Sequence, residues 1–379
     1  MTSAPLPRRR RTGSTVVGAL GSLGIGAAAV LGVQAATTPT TVVGQASPAQ
    51  GSSAPAGYIP HYRPGGSNGH PGGTSSDTGT TTTASAAQQV GIVEIDTVLQ
   101  YQNARAAGTG MLLTSGGEIL TNNHVVDGAT SIRVTISSTG ATYTATVVGT
   151  DPADDVAVLQ LSHVSGLKTA KLSSAEATVG ESVTGVGNAG GTGTLSAATG
   201  TVTALDQSIT ASDESGRASE QLTGLIEVDA AIQAGDSGGP LYGDGDAIIG
   251  MDTAASSGGP ADGYAIPIAS ARTIAGQIES GVDTATIHQG YPAFLGVSMA
   301  DDATGATVAG TLSGGAAEGA GISAGDVITS VDGHSIGSAD DLRSTLAGYA
   351  PGDRVTVTWT TAAGASESAT VTLGTGPAD

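Results

Sequence analysis

The stretch Ala231 to Pro240, AIQAGDSGGP, sets Ser237 among glycines with Asp236 directly before it. A serine hydroxyl becomes a carbonyl-attacking nucleophile when a base takes its proton, and that base needs a third group to fix its tautomer. The loose pattern G-x-S-x-G does not single out Ser237. It recurs at Ser67, Ser323 and Ser335, and a chain this rich in glycine produces it about once by chance. The longer word GDSGGP is different, arising by accident on the order of a few times in ten thousand such chains.

A base and an acid must then be found elsewhere. The histidines are His61, His70, His124, His163, His288 and His334. His124 stands in LTNNHVV, an apolar strand running into a polar turn, which predicts an imidazole at a strand end above a cleft. His61 and His70 lie in polar sequence without neighbouring ligand residues and read as solvated. For the acid, DPADDVAVLQL offers Asp151, Asp154 and Asp155. Asp155 abuts the strand-like run Val156 to Leu161, so its backbone is the most rigidly placed of the three. The resulting order His124, Asp155, Ser237 differs from the Ser, Asp, His order of an α/β-hydrolase, which would need His288 or His334 as base and alternating strands and helices.

The elements around these residues are nearly all strand. From Val90 onward, runs rich in Val, Ile, Thr and Leu (VGIVEID, SIRVTI, YTATVVGT, DVAVLQL, SVTGVGN, GLIEVDAA, AIIGMDT) alternate with Gly and Asp turns. The pattern predicts an all-β sandwich or barrel, interrupted by one helix, IASARTIAGQIESG, ending at Gly281. After Pro292 it restarts as a second block the size of a small domain: FLGVSMA, DVITSVDG, a helix SADDLRSTLAGY, then RVTVTWT and ESATVTL.

Composition narrows the setting. The chain of 379 residues has 39% apolar and 3% aromatic residues, a formal charge of −20 and no cysteine. Such an acidic chain argues against nucleic acid as a partner, and the lack of thiols excludes disulfides and thiolate metal sites. Arg8 to Arg11 followed by an apolar run from Val16 to Val33 read as an export signal over 1–35, either cleaved after Ala35 or kept as a membrane anchor through 16–33. Residues 36–88 are Thr, Ser, Pro and Gly with few large apolar side chains, and are expected to form an unfolded tether.

GTGMLLTSGGEILTNNHVV, DPADDVAVLQL, EVDAAIQAGDSGGPLY and DGYAIPI resemble the trypsin-like protease domain of the HtrA/DegP family, and the block behind them resembles its PDZ domain. The use of GDSGGP is most similar to the actinobacterial secreted, PepA-like members. The resemblance implies a double six-stranded β-barrel over 89–284, a PDZ domain over 288–375, and an ATP-independent serine endopeptidase acting on misfolded or exported proteins outside the cytoplasm. It implies no cofactor and no metal. His124 then matches the general base, Asp155 the orienting acid and Ser237 the nucleophile, with the N–H groups of Gly235 and Ser237 as oxyanion hole and Ala231 at the base of the specificity pocket. Where many relatives have Asn before the serine, this chain has Asp236. In trypsins that acid pairs with a new N-terminal amine, yet no basic-Ile-Val-Gly-Gly site precedes the domain in this sequence, so its partner stays open.

PDZ domains add a peptide C-terminus as a strand and hold its carboxylate on loop N–H groups. Phe294, Leu295, Gly296 and Val297 have the form of that loop, and GISAGDVITSVDGHSI, Gly321 to Ile336, resembles the next signature. Expected partners are polypeptide substrates and peptide C-termini, with assembly into a homo-oligomer left open. The competing reading is a non-proteolytic chaperone or PDZ scaffold of the cell envelope, against which the intact His124, Asp155 and Ser237 speak.

Overall fold

The computed structural model describes residues 61–62, 81–212, 219–256, 263–300 and 305–378. The expected export segment, 16–33 included, and most of the expected tether lie outside these residues. Among the described residues no helix is long and apolar enough to cross a membrane.

Twelve strands form two closed barrels. The first comprises β1 (Ile92–Leu99), β2 (Ala104–Leu112), β3 (Glu118–Thr121), β4 (Ser131–Ile136), β5 (Ala141–Asp151) and β6 (Val156–Leu161). It closes in the order β1-β2-β3-β6-β5-β4, every neighbouring pair antiparallel. The second comprises β7 (Ser182–Gly187), β8 (Ser196–Ser212), β9 (Ser219–Val228), β10 (Pro240–Tyr242), β11 (Ile248–Ser256) and β12 (Gly263–Pro267). Its circuit, β7-β8-β9-β12-β11-β10, repeats the connectivity of the first. Closure leaves no long edge exposed within either barrel.

The strand pattern explains the cores. In β4, SIRVTI, Ile132, Val134 and Ile136 are buried while Ser131 and Arg133 are exposed, as a strand with one wet face requires. Val93, Ile95, Leu112, Ile119, Val134 and Leu159 fill barrel one. A second cluster joins Ile92, Met111, Leu120 and Val158 of barrel one to Val186, Leu225, Ile248 and Met251 of barrel two. The helix α1 that closes this seam spans Ile268–Glu279 and buries Ile268, Ala271, Ala275 and Ile278, a spacing that lines one helical face.

The second block folds around Trp359, Val355, Val357, Ile328 and Leu342. Its main sheet runs in the order Val297–Met299, Ala306–Thr311, Val327–Val331, Arg354–Thr360, Ser366–Thr372, with the helix Ala339–Leu346 capped by Ser338. Val297–Met299 lies at one end of that order and so forms a sheet edge.

The expected domain edges shift in detail. Thr81–Thr83 pair with Ser196–Ala198 of β8, Ala84 is 4% exposed, and the two-residue strand His61–Tyr62 pairs with Ala211 and Ser212. Folded chain therefore extends into the stretch expected to be a tether up to residue 88, because backbone pairing accepts threonines that offer no apolar bulk. At the other end His288–Gln289 pair with Gly149 and Thr150 of β5, and so belong with barrel one and not with the second block.

Candidate active site

Barrel one positions a histidine and an acid. After β3 the chain enters the single helical turn Asn123–Val126, so His124 sits on a helix and not on the strand end suggested by LTNNHVV. Val125 and Val126 are buried and anchor that turn. Asp155 precedes β6 with φ of 53°, a left-handed value that a residue with a Cβ holds only when its surroundings fix it. They do: Asn122 Nδ2 donates to the Asp155 carbonyl at 2.9 Å, and the His124 backbone N–H donates to Asp155 Oδ1 at 3.0 Å. His124 Nδ1 then lies 3.0 and 2.9 Å from the two carboxylate oxygens. Against a carboxylate Nδ1 carries the proton and donates it, which makes Nε2 the acceptor nitrogen of the neutral ring.

Of the three candidate acids, Asp155 is the one that reaches the imidazole. Asp154 is exposed. Asp151 serves the backbone and the chain beyond α1, accepting from the Ala153 N–H at 3.2 Å and from Thr286 Oγ1 at 3.1 Å.

Barrel two contributes Ser237 on the turn between β9 and β10. Its Oγ donates to the Thr253 carbonyl at 3.3 Å, and Thr253 Oγ1 donates to Asp155 Oδ2 at 2.5 Å. Thr253, on β11, thus ties the serine of one barrel to the acid of the other. Thr109 on β2 provides a second tie: its N–H donates to the Ser237 carbonyl at 2.9 Å, its Oγ1 donates to the Gly235 carbonyl at 2.7 Å, and that same Oγ1 accepts from the Asn188 N–H at 2.9 Å. Gly238 has φ of 80°, and a Cβ there would collide with the Thr109 carbonyl and Thr121 Oγ1. Only glycine fits that crossing.

The two donors expected to stabilise an oxyanion can be followed through their peptide planes. The Ala234 carbonyl accepts from the Gly190 N–H at 2.7 Å and the Asp236 carbonyl from the Gly239 N–H at 2.8 Å. Since C=O and N–H of a trans peptide point in opposite directions, the N–H groups of Gly235 and Ser237 face away from those donors. Asp236 is 3% exposed, and its Oδ2 accepts from the Gln233 N–H at 2.9 Å. Burial pushes its carboxyl up to about 7 despite that hydrogen bond.

Ala231 is half-buried against the core of barrel two. The next residue, Ile232, is 6% exposed and reaches between Gly185 and Gly263, where either glycine bearing a Cβ would strike it. No carboxylate stands at 231, and Ile232 presents an apolar side chain beside it, with the buried Asp252 likewise beside Gly185. In the second block, Leu295 is buried, Gly296 has φ of 81°, and their carbonyls accept from the N–H groups of Ala317 and Leu312, both at 2.9 Å. The Gly296 N–H therefore faces away from Ala317. Phe294 turns to stack on Tyr101 of barrel one, ring centroids 5.4 Å apart.

Sequence reasoning did not single out Asn122, Thr109 or Thr253. Each is a buried polar residue within or at the end of an apolar strand, and such residues need partners. That was the available signal.

A model of the trypsin-like peptidase domain matches residues 108–251, and a PDZ-domain model matches residues 293–373. The serine protease PepD of Mycobacterium tuberculosis is 34% identical over 310 residues, covering 75% of this chain and 63% of that protein. The periplasmic pH-dependent serine endoprotease DegQ of Escherichia coli is 36% identical over 262 residues, covering 65% and 55% respectively. The periplasmic serine endoprotease DegP of the same organism is 34% identical over 272 residues, covering 68% and 55%. The chain thus spans 63% or less of the length of these relatives. The two successive domain matches give this chain a trypsin-like peptidase domain followed by a PDZ domain, and with PepD, DegQ and DegP among its relatives it is a homologue of the HtrA/DegP-type proteins.

Proposed function

We propose that the chain is a serine endopeptidase that hydrolyses peptide bonds in exported or misfolded polypeptides, with His124, Asp155 and Ser237 as its triad. The observation that carries this reading is the Asp155 carboxylate, which meets His124 Nδ1 at 2.9 Å while Thr253 links it to Ser237. In the first step His124 Nε2 takes the Ser237 proton as Oγ attacks the scissile carbonyl. The oxyanion is met by the N–H groups of Gly235 and Ser237. His124 then returns the proton to the leaving amine, and water repeats the sequence on the acyl-enzyme. Asp155 holds the ring in this orientation and stabilises the imidazolium.

The floor at Ala231 and Ile232 favours a small or medium apolar side chain such as Val, Ala or Leu before the cut. The edge strand Val297–Met299 behind Gly296 suits capture of a peptide C-terminus by strand addition, which would deliver substrate or report its presence. Placement outside the cytoplasm, secreted or anchored through 16–33, rests on Arg8 to Arg11 and the apolar run behind them, and on the periplasmic relatives. Casein digestion by the chain, set beside its Ser237→Ala variant, tests the activity. Digestion that survives the substitution removes Ser237 from the mechanism.

A further inference from the structure

Beneath the Ser237 turn lies a second acid that the triad does not use. Asp252 on β11 is 0% exposed, and neither of its carboxylate oxygens has a hydrogen-bond partner; the Oδ1 of Asp236 is likewise buried without one. The two carboxyls share one face of β7. A Cβ at Gly185 would stand 3.0 Å from Asp252 Oδ2, and a Cβ at Gly187, two residues on and on the same side, would stand 2.6 Å from Asp236 Oδ1. The glycines leave the space that these acids fill.

Asp252 is also joined to the catalytic turn by backbone on both sides. Its carbonyl accepts from the Gly238 N–H at 2.8 Å, and its N–H donates to the Gly239 carbonyl at 2.9 Å. The residue that follows is Thr253, which holds both Ser237 and Asp155. Any displacement of Asp252 therefore moves the acceptor of the serine hydroxyl and the turn that carries the oxyanion donors. Facing Asp252 from the packed elements are Gly185 of β7, Ile232, and Ala265 opposite it in register on β12, none of which titrates. The charged group acting on it is Asp236.

We propose that Asp252 is a positioning residue for the Ser237 turn, supporting it while the Asp236–Asp252 pair retains a proton and releasing it when both acids ionise, so that the pair sets an upper pH limit on activity. Two buried like charges on one strand face cannot both be carried without cost. Burial, and then the charge of Asp236, hold the Asp252 carboxyl well above the usual carboxylate range. The sign follows from linkage. Because the folded state keeps protons that the unfolded chain has released, stability is full below the ordinary value of 3.8 and is lost as pH rises toward and through about 7 for Asp236. The loss continues higher for Asp252.

This inference rests on the endopeptidase reading, and the test separates the two. Casein hydrolysis by the full chain is followed from pH 6 to 9.5 for the wild type and Asp252→Asn, whose amide carries no charge at any pH. The ratio of the rate at pH 9.5 to that at pH 7 is expected to rise about fivefold or more in the variant. In parallel, thermal unfolding is compared between pH 5 and pH 8 for both sequences in a Ser237→Ala background, which prevents self-digestion. The wild-type sequence should lose more of its Tm over that interval than Asp252→Asn. If hydrolysis occurs with the same alkaline limb and the same Tm loss in both, the inference is overturned while the endopeptidase reading stands. If the wild type does not hydrolyse casein, that reading fails, and the Tm comparison still decides whether the pair titrates against the fold. Should Asp252→Asn not fold, Asp236→Asn neutralises the other end of the pair and is expected to extend the alkaline limb in the same way.

Discussion

Barrel one and barrel two repeat one strand connectivity yet hold their parts of the site by different means. In barrel one every contact around Asp155 is made: Asn122 takes its carbonyl, and His124 and Thr253 take its carboxylate. In barrel two the Ser237 turn rests on Asp236 and Asp252, whose buried oxygens are left largely unmatched. An acid whose oxygens are all paired, as those of Asp155 are, is held by its hydrogen bonds, whereas a turn resting on unpaired acids depends, on the proposal above, on their protonation. On the proposed mechanism both halves act together, and the unpaired acids of barrel two are where pH is expected to act.

The largest expected effect falls on the serine itself. Ser237→Ala should lower turnover by on the order of a million-fold with the fold intact, as read by kinetics beside circular dichroism. On the barrel-one side, Asp155→Asn presents the wrong partner to His124 Nδ1 and should cost about ten thousand-fold, while Asp154→Asn and Asp151→Asn should cost less than about tenfold. If Asp154→Asn proved the costlier change, the acid would be misassigned and the satisfied half-site would lie elsewhere. Thr253→Val cuts the tie between the halves by removing a hydrogen bond to a charged group. Kinetics should show a loss of about ten- to a hundredfold, and a loss below twofold would mean that the barrels hold their parts independently. The smallest effect concerns the PDZ block. Amidating the C-terminus of an apolar-ended peptide should weaken its binding to the full chain about tenfold, measured by fluorescence titration. Equal binding of acid and amide would make Gly296 a structural turn and not a carboxylate site.

The difference between the halves also explains what could be read from sequence. GDSGGP, the histidine of LTNNHVV and the acid before VAVLQL stood out in the sequence because the proposed chemistry restricts residue type and spacing at once. The strands filled by Val, Ile and Leu announced themselves by alternation. β8 did not: SAATGTVTALDQSITAS is small and polar, and its pairing with β9 shifts register near Ala204, Gln207 and Ile209, which breaks the two-residue period. His124 was placed on a strand end because one helical turn is too short to leave a periodic signal. Thr109, Thr253 and Asp252 were hidden for a different reason. Their roles come from contacts across barrels or between strands distant in sequence, and no local pattern records those contacts.

The central claim is that the two barrels meet to make one activated serine, and a fluorophosphonate probe tests it most directly. The reagent reacts with a serine whose proton has a base to go to and whose adduct has an oxyanion hole to enter. Labelled wild-type protein, digested and mapped by mass spectrometry, should carry one adduct, on Ser237, absent in Ser237→Ala and strongly slowed in Asp155→Asn. An unlabelled wild type, or an adduct on another serine such as Ser323 or Ser335, would contradict the account.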